Sequence, residues 1–295
     1  MSVRFVYRLV PALVFLGFFL GCKRPISVAQ QSRVAIYTPA DSLMVVAKMK
    51  EMEHRDPEAL SRLFVDVARS FLGTPYAGQT LELGEDESLV VNLREFDCTT
   101  FIETCMALTF TVASGKNEFS DFLDYLQQIR YRNGHVDGYL SRLHYFSEWI
   151  MANQARGYLR DVSREKGGAL YTKDFHFMSR HVSAYKQLAA DSSLLPPLRQ
   201  IENNLSSQTH YFIPKDQVPG QSALMEDGMI VAFTTGLDGL DVIHTGILVS
   251  VGEEMHVLHA SSDAGKVILS EKSLTAYLEG NKLQTGIVLV KLQNQ

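Results

Sequence analysis

The chain has 295 residues, 46% hydrophobic and 21% charged, the balance of an ordinary folded protein with one large domain or one domain carrying a sizeable insertion. A net charge of -5 offers no basic surface for a nucleic acid. The absence of a Cys-X-X-Cys pair, a glycine-rich phosphate loop and internal repeats leaves no sign of a metal ribbon, a nucleotide site or a solenoid, and no cofactor is expected.

Arg4 and Arg8 precede an apolar run from Leu9 to Leu20 that ends at Gly21-Cys22. A basic start, an apolar stretch too short for an ordinary membrane span and a small residue before the cut describe an export signal. A cysteine at that point resembles a bacterial lipoprotein signal, with Cys22 lipidated and first in the mature chain. Phe19 and Leu20 fit the usual lipobox poorly, which keeps a plain signal peptide or an uncleaved anchor as alternatives. The polar stretch Lys23 to Arg33 reads as a flexible tether. The expected organisation is a signal over 1–21, a tether over 22–40 and a single domain over 41–295.

The block from Ser42 to about Arg55 has helical spacing. From Cys98 to Leu108 apolar residues recur three and four apart, with Phe101, Cys105 and Leu108 on one stripe, so a second helix is expected there. Asp97 stands at its N-cap, which places Cys98 in the first turn. Unpaired amides and the positive end of the helix dipole would favour a thiolate at that position. Cys105, further along, reads as a buried structural cysteine. With Cys22 assigned to lipid, seven helical residues between Cys98 and Cys105 exclude an intramolecular disulfide, and a free cysteine in an exported protein points to a reactive one.

Residues 116–220 exceed what a minimal core around such a helix needs. Phe119 to Arg130 reads as an amphipathic helix, followed by a loop rich in aromatic and polar groups, then Arg142, His144, Tyr145 and Trp149. An arginine suits a carboxylate and aromatic rings suit a sugar face, so Arg142, His144 and Tyr145 are candidate substrate contacts. Equally, Tyr145 and Trp149, four apart, could be the buried stripe of a helix. Leu194-Leu195-Pro196-Pro197 and Val218-Pro219-Gly220 mark turns.

The C-terminal part is rich in strands: Met229 to Phe233, Ile243 to Val249, Met255 to Ala260, Lys266 to Leu269 and Gly286 to Leu292. The second and third form a hairpin. With an even turn and no bulge, His244 and His259 share a face; an odd turn would put His256 there instead. His244 could then act as a base whose ring His259 orients. His256 and His259, three apart on one strand, point to opposite faces, which argues against a zinc site built on them. A helix packed on an antiparallel sheet, with Cys98 facing His244 across a cleft, makes the fold class α+β.

Gly73-Thr74-Pro75-Tyr76, Phe96-Asp97-Cys98-Thr99-Thr100-Phe101, Gly228 to Phe233, His244-Thr245-Gly246-Ile247 and His259-Ala260 resemble the ordered landmarks of the NlpC-type cell-wall cysteine peptidases. The stretch Tyr139 to Phe146 and the long spacing between cysteine and histidine are more similar to the N-acetylmuramoyl-L-alanine amidase-like lipoprotein branch. The resemblance covers nearly all of the chain after about residue 58; Thr99 departs from the serine many relatives have after the cysteine. It implies a papain-like fold with a large helical and loop insertion, Cys98 as nucleophile, His244 as general base and His259 as orienting residue. Tyr76 would line the substrate site, and Asp97 would help hold a free amino group of the substrate. The expected activity is cysteine-dependent cleavage between N-acetylmuramic acid and L-alanine in peptidoglycan fragments, by a lipid-anchored protein facing the periplasm. The alternatives are an endopeptidase cutting the stem peptide after D-glutamate and a wall-binding lipoprotein without catalysis.

Overall fold

A computed structural model describes residues 35–84 and 86–294. The signal segment, Cys22 and the tether up to residue 34 lie outside the described residues. In chain order the elements are β1 (Ala35–Ile36), α1 (Pro39–Met52), α2 (Leu60–Arg69), β2 (Leu89–Val90), α3 (Cys98–Ala113), α4 (Phe119–Arg130), α5 (Phe146–Ala155), β3 (Leu159–Asp161), β4 (Ala169–Leu170), α6 (Phe177–Arg180), α7 (Lys186–Ala190), α8 (Leu195–Ser206), β5 (Tyr211–Pro214), α9 (Val218–Gln221), β6 (Ile230–Thr235), β7 (Val242–Val251), β8 (Glu254–Ser261), β9 (Lys266–Ser273), α10 (Leu274–Glu279) and β10 (Gln284–Leu292). The fold is α+β.

Residues 35–40, assigned to the tether from sequence, are part of the fold. Ala35 and Ile36 pair in parallel with Leu89 and Val90, and Thr38 caps α1 reciprocally with Asp41, with Pro39 opening the helix. Asp41 also accepts bonds from the Leu93 amide and the Arg94 guanidinium, both at 3.1 Å. Burial alone would raise its carboxyl, but these bonds and those from Thr38 hold it below the usual range. Val45, Met49 and Met52 are buried, so α1 is part of the core and fastens the segment that leads to Cys98.

The main sheet runs β4-β5-β10-β6-β7-β8-β9, with β3 also paired to β10, and every pairing in it is antiparallel. Strands β3, β4 and β5 come from the expected insertion, so that region extends the sheet as well as covering it. One sheet face, with Ile230, Ala232, Ile247, Leu258 and Ala260, packs on α3 and its neighbours. The other, with Val231, Phe233, Leu248 and Val257, packs on Leu274 and Leu278 of α10. Residue alternation along each strand separates the two sets. A third cluster, within the insertion, joins Tyr139, Tyr145, Phe175 and Leu198. The prolines at 196 and 197 do not make a turn; they lie in the first turn of α8, where no amide is needed.

Helix α3 is buried from Thr100 to Thr111 on all sides. Its polar groups are satisfied inside: Thr109 and Thr111 donate to the carbonyls of Cys105 and Ala107 at 2.8 and 2.7 Å. Glu103 accepts from Arg130 of α4 at 2.6 Å, with both side chains 2% exposed. Arg130 also donates to the Val90 carbonyl at 2.6 Å. Burying the pair costs solvation of both charges, against which stand the short Arg130–Glu103 bond and the Arg130 bond to the Val90 carbonyl.

Candidate active site

Helix α3 begins where the sequence places it. Asp97 Oδ1 accepts from the Thr100 amide at 2.8 Å and its hydroxyl at 2.9 Å, while Thr100 Oγ1 accepts from the Asp97 amide, a complete capping box. Behind it, Phe96 is threaded onto the Gly73-Thr74-Pro75-Tyr76 stretch: the Phe96 amide donates to the Pro75 carbonyl and the Ala77 amide to the Phe96 carbonyl, both at 3.0 Å. That stretch is itself bonded to β9, Gly73 to the Val267 carbonyl and Tyr76 to the Gly265 carbonyl, each at 2.9 Å. Tyr76 is thereby set beside Cys98. Burial, then the charges of Cys98 and Asp97, raises its hydroxyl pKa.

The turn between β7 and β8 holds two residues, Gly252 and Glu253, and the ladder runs without a break from Val251 opposite Glu254 to Ile247 opposite Leu258. Continuing that register sets Gly246 opposite His259 and Thr245 opposite Ala260. His244 and His259 therefore share a face, while His256 belongs to the other and bonds the Ser270 carbonyl at 2.8 Å. His244 Nε2 lies 2.6 Å from His259 Nδ1, with the rings nearly perpendicular at 79°. Gly246 makes this possible, since a Cβ there would stand 2.4 Å from Val257 Cγ1 and 3.2 Å from the His259 Cβ.

The Thr245 hydroxyl donates to the Cys98 carbonyl at 3.0 Å. The body of α3 packs on the sheet face opposite to that of the two histidines, and Thr245, next to His244 in the chain, ties the start of the helix to β7.

The expected thiolate is not the resting state. Burial first, and then the Asp97 charge, push the Cys98 thiol up to about 11, against the bonds from Thr245 and Thr99. Burial lowers His244 to about 3, with His259 adding to the effect, and lowers His259 to about 4. The thiol and both rings are thus neutral at pH 7. Cap amides and helix dipole are outweighed because the first turn of α3 is packed among Tyr76, β7 and Tyr277 rather than open to water. Cys98 nonetheless keeps part of its surface accessible, whereas Cys105 is fully buried.

Three groups at this cluster were not singled out from sequence. Phe233 stacks on His244 with centroids 5.7 Å apart. Tyr277 of α10 closes over both rings, 6.4 Å from His244 and 5.5 Å from His259. Burial, then the charges of Asp263 and Cys98, push the Tyr277 hydroxyl up to about 12. Thr245, beside the histidine in its motif, carries the link to Cys98. Tyr277 follows no local pattern; its place depends on how α10 docks.

The insertion residues divide. Arg142 lies over the Tyr139 ring at 5.3 Å and pairs with Glu82 at 3.3 Å and Glu87 at 3.5 Å, tying down the loop between Tyr76 and β2. His144 bonds the Tyr139 carbonyl at 2.9 Å, and burial, then the Arg142 charge, lower it to about 3. Tyr145 is packed away in the third cluster: it is 2% exposed, its hydroxyl donates to Glu202 at 2.7 Å and accepts from the Met178 amide at 3.0 Å. A group so enclosed has no face for a substrate, and its role is packing; Trp149, fully buried, is the same. Among the described residues no three His, Cys, Asp or Glu side chains converge to hold a metal ion.

Residues 66–287 match the family model described as AmiA-like, N-acetylmuramoyl-L-alanine amidase-like. The chain belongs to that family. It is 36% identical to an N-acetylmuramoyl-L-alanine amidase from Bacteroides uniformis, over 80% of this chain and all of that one, with a TM-score of 0.77. A protein from Bacteroides fragilis described as a candidate xylanase is also 36% identical, over 76% and 98% of the two chains, with a TM-score of 0.73. A Legionella pneumophila protein at 19% identity, covering 88% and 97%, shares the fold with a TM-score of 0.63. No curated protein matches the chain. A glycosidase works with paired carboxylates; here the cluster offers a thiol and two imidazoles, and one oxygen of Asp97 is committed to the helix cap.

Proposed function

We propose that the protein is a cysteine-dependent N-acetylmuramoyl-L-alanine amidase of papain-like, NlpC-type descent, acting on peptidoglycan fragments. The observation that carries this is the 2.6 Å His244–His259 bond beside Thr245, whose hydroxyl holds the Cys98 carbonyl at 3.0 Å. With Nε2 engaged by His259, His244 has Nδ1 available to accept a proton. The thiol proton passes to His244 as Sγ attacks the carbonyl carbon of the lactyl group. The resulting oxyanion is met by the Cys98 N–H, which at the first helical position has no intrahelical acceptor. His244 then protonates the L-alanine nitrogen, the C–N bond breaks and the peptide leaves. Water, deprotonated by His244, attacks the thioester and releases the muramyl carboxylate and the free thiol. Because every group starts neutral, proton transfer and attack proceed together as substrate displaces water. Tyr76, beside the nucleophile, lines the substrate site.

The stem-peptide endopeptidase is the weaker reading, since it asks Asp97 to hold a free amine with a carboxylate whose Oδ1 already serves Thr100. Export and lipid attachment at Cys22, placing the enzyme on the periplasmic side of a membrane, complete the proposal and rest on residues before 34. The test is mass spectrometry of products from a defined disaccharide-peptide, incubated with the full-length protein and with Cys98→Ala. The whole peptide with a free L-alanine terminus, released only by the unmodified protein, supports the amidase; release of an L-alanyl-D-glutamate dipeptide from a sugar-free peptide would replace it with the endopeptidase. Product formation that resists thiol alkylation but stops with a chelator would refute the cysteine mechanism.

A further inference from the structure

Helix α10 is held to the sheet by Leu274 and Leu278, four residues apart and buried against Val231, Phe233, Leu248 and Val257. Tyr277, three places after Leu274, packs beside them. On the sheet face it meets, Phe233 of β6 and His244 of β7 stand directly opposite each other. The Tyr277 ring centroid lies 5.2 Å from Phe233, 6.4 Å from His244 and 5.5 Å from His259, nearly perpendicular to the last at 82°. One ring from α10 therefore reaches both members of the histidine pair, and it does so with its carbon face and edge.

The pair depends on what covers it. His259 Nδ1 has the 2.6 Å contact with His244 Nε2, while His259 Nε2 is buried and has no hydrogen-bond partner among the described residues. Water reaching that nitrogen would bond it and would raise the dielectric around the short bond, weakening it. His259 is 2% exposed, and Tyr277 in contact with it is only half-buried, so the tyrosine ring is part of the cover between His259 and solvent.

We propose that Tyr277 is a positioning residue for the base: its aromatic ring, rather than its hydroxyl, keeps water off the His244–His259 pair and so holds the two rings in their perpendicular, bonded arrangement. The inference rests on the reading of His244 as the base and adds a residue that acts through the rings without touching the reacting atoms. The titratable groups around the pair are Cys98 and Asp97 at the start of α3, Tyr76 on the stretch bonded to β9, and Asp263 in the turn between β8 and β9, whose charge acts on His259 in the raising direction. Phe233 on β6 does not titrate, and substitution at 277 leaves all of these residues in place.

The test compares the full-length protein with Tyr277→Phe, Tyr277→Leu and Tyr277→Ala by ¹⁵N-histidine NMR titration, which needs no substrate, and by muropeptide hydrolysis. Burial holds the His244 and His259 midpoints at about 3 and 4. Admitting water in Tyr277→Ala raises both toward the ordinary histidine value of about 6.5, by at least about one pH unit. A base must be neutral to act, so the acid limb of kcat/KM moves to higher pH. With the rings loosened, kcat falls at least about tenfold, part of the 10²–10⁴-fold that a general base supplies, and KM is unchanged. Tyr277→Phe keeps the parent's midpoints and kcat. Tyr277→Leu fills part of the ring's volume, shifts the midpoints the same way by less, and carries the test if the alanine variant does not fold. Parent-like midpoints in Tyr277→Leu and Tyr277→Ala overturn the proposal even when activity falls, because the ring then excludes no water. Raised midpoints with the parent's kcat overturn the positioning role, and a Tyr277→Phe protein that behaves like Tyr277→Ala assigns the role to the hydroxyl instead. Failure of the amidase reading is separate: it appears as absent product with the titration result intact.

Discussion

Gly246→Ala is the sharpest perturbation of the site, because one methyl group reaches both its scaffold and its chemistry. The added Cβ would lie 2.4 Å from Val257 Cγ1, 3.2 Å from the His259 Cβ and 3.2 Å from the Leu258 carbonyl. Val257 is fully buried and cannot swing aside, so β7 and β8 must part where the histidines meet. Overpacking of this kind costs about 1–3 kcal/mol, a fall in melting temperature of roughly 2–12 °C for a domain of this size. Separating the strands lengthens the 2.6 Å His244–His259 bond, and a displacement near 1 Å of a catalytic group costs about 10²-fold in kcat. Thermal unfolding and muropeptide turnover, measured well below the variant's melting temperature, give the two effects separately. Adding Val257→Ala removes the closest contact, so the double variant should lose less stability than the two single losses summed. A Gly246→Ala protein with the parent's turnover, whatever its stability, would refute the claim that this glycine seats His259.

Other consequences follow from burial and charge. Tyr145→Phe removes the bonds to Glu202 and the Met178 amide, so it should cost about 1–3 kcal/mol in denaturant unfolding and leave KM unchanged; a raised KM in the folded variant would return Tyr145 to the substrate site. His144, His244 and His259 have folded pKa values of about 3, 3 and 4, below the unfolded value. Between pH 6.5 and about 4 these three rings therefore contribute a loss of stability as pH falls; NMR titration of the rings in the folded protein that places their midpoints near 6.5 would contradict these environments. The Cys98 thiol, raised to about 11, should alkylate slowly at pH 7 in the absence of substrate and faster as pH rises past 9. Rapid alkylation at pH 6 would instead mean a preformed thiolate and imidazolium.

Features legible in the sequence were those governed by neighbours a few residues away. The cap at Asp97 and the apolar spacing after it determine where α3 begins, because capping is settled within one turn. The two-fold alternation of β7 and β8 left His256 and His259 as alternatives, and the two-residue turn of the folded hairpin decides that His259 shares a face with His244. What surrounds those residues was decided only on folding. The protonation of Cys98 reversed because desolvation depends on everything that packs around the first turn, and no local pattern encodes that density. Tyr145 has the composition of a sugar contact and the environment of a core residue, a choice made by α6 and α8 closing over it. Strands β3 to β5 are too short to stand out by periodicity; β3 and β5 become strands because β10 offers an edge to pair with, and β4 then pairs with β5. Tyr277 reaches the histidines from α10, a segment with no motif of its own. Short-range order was written in the chain; the electrostatics of the site came from distant segments brought together and sealed from water.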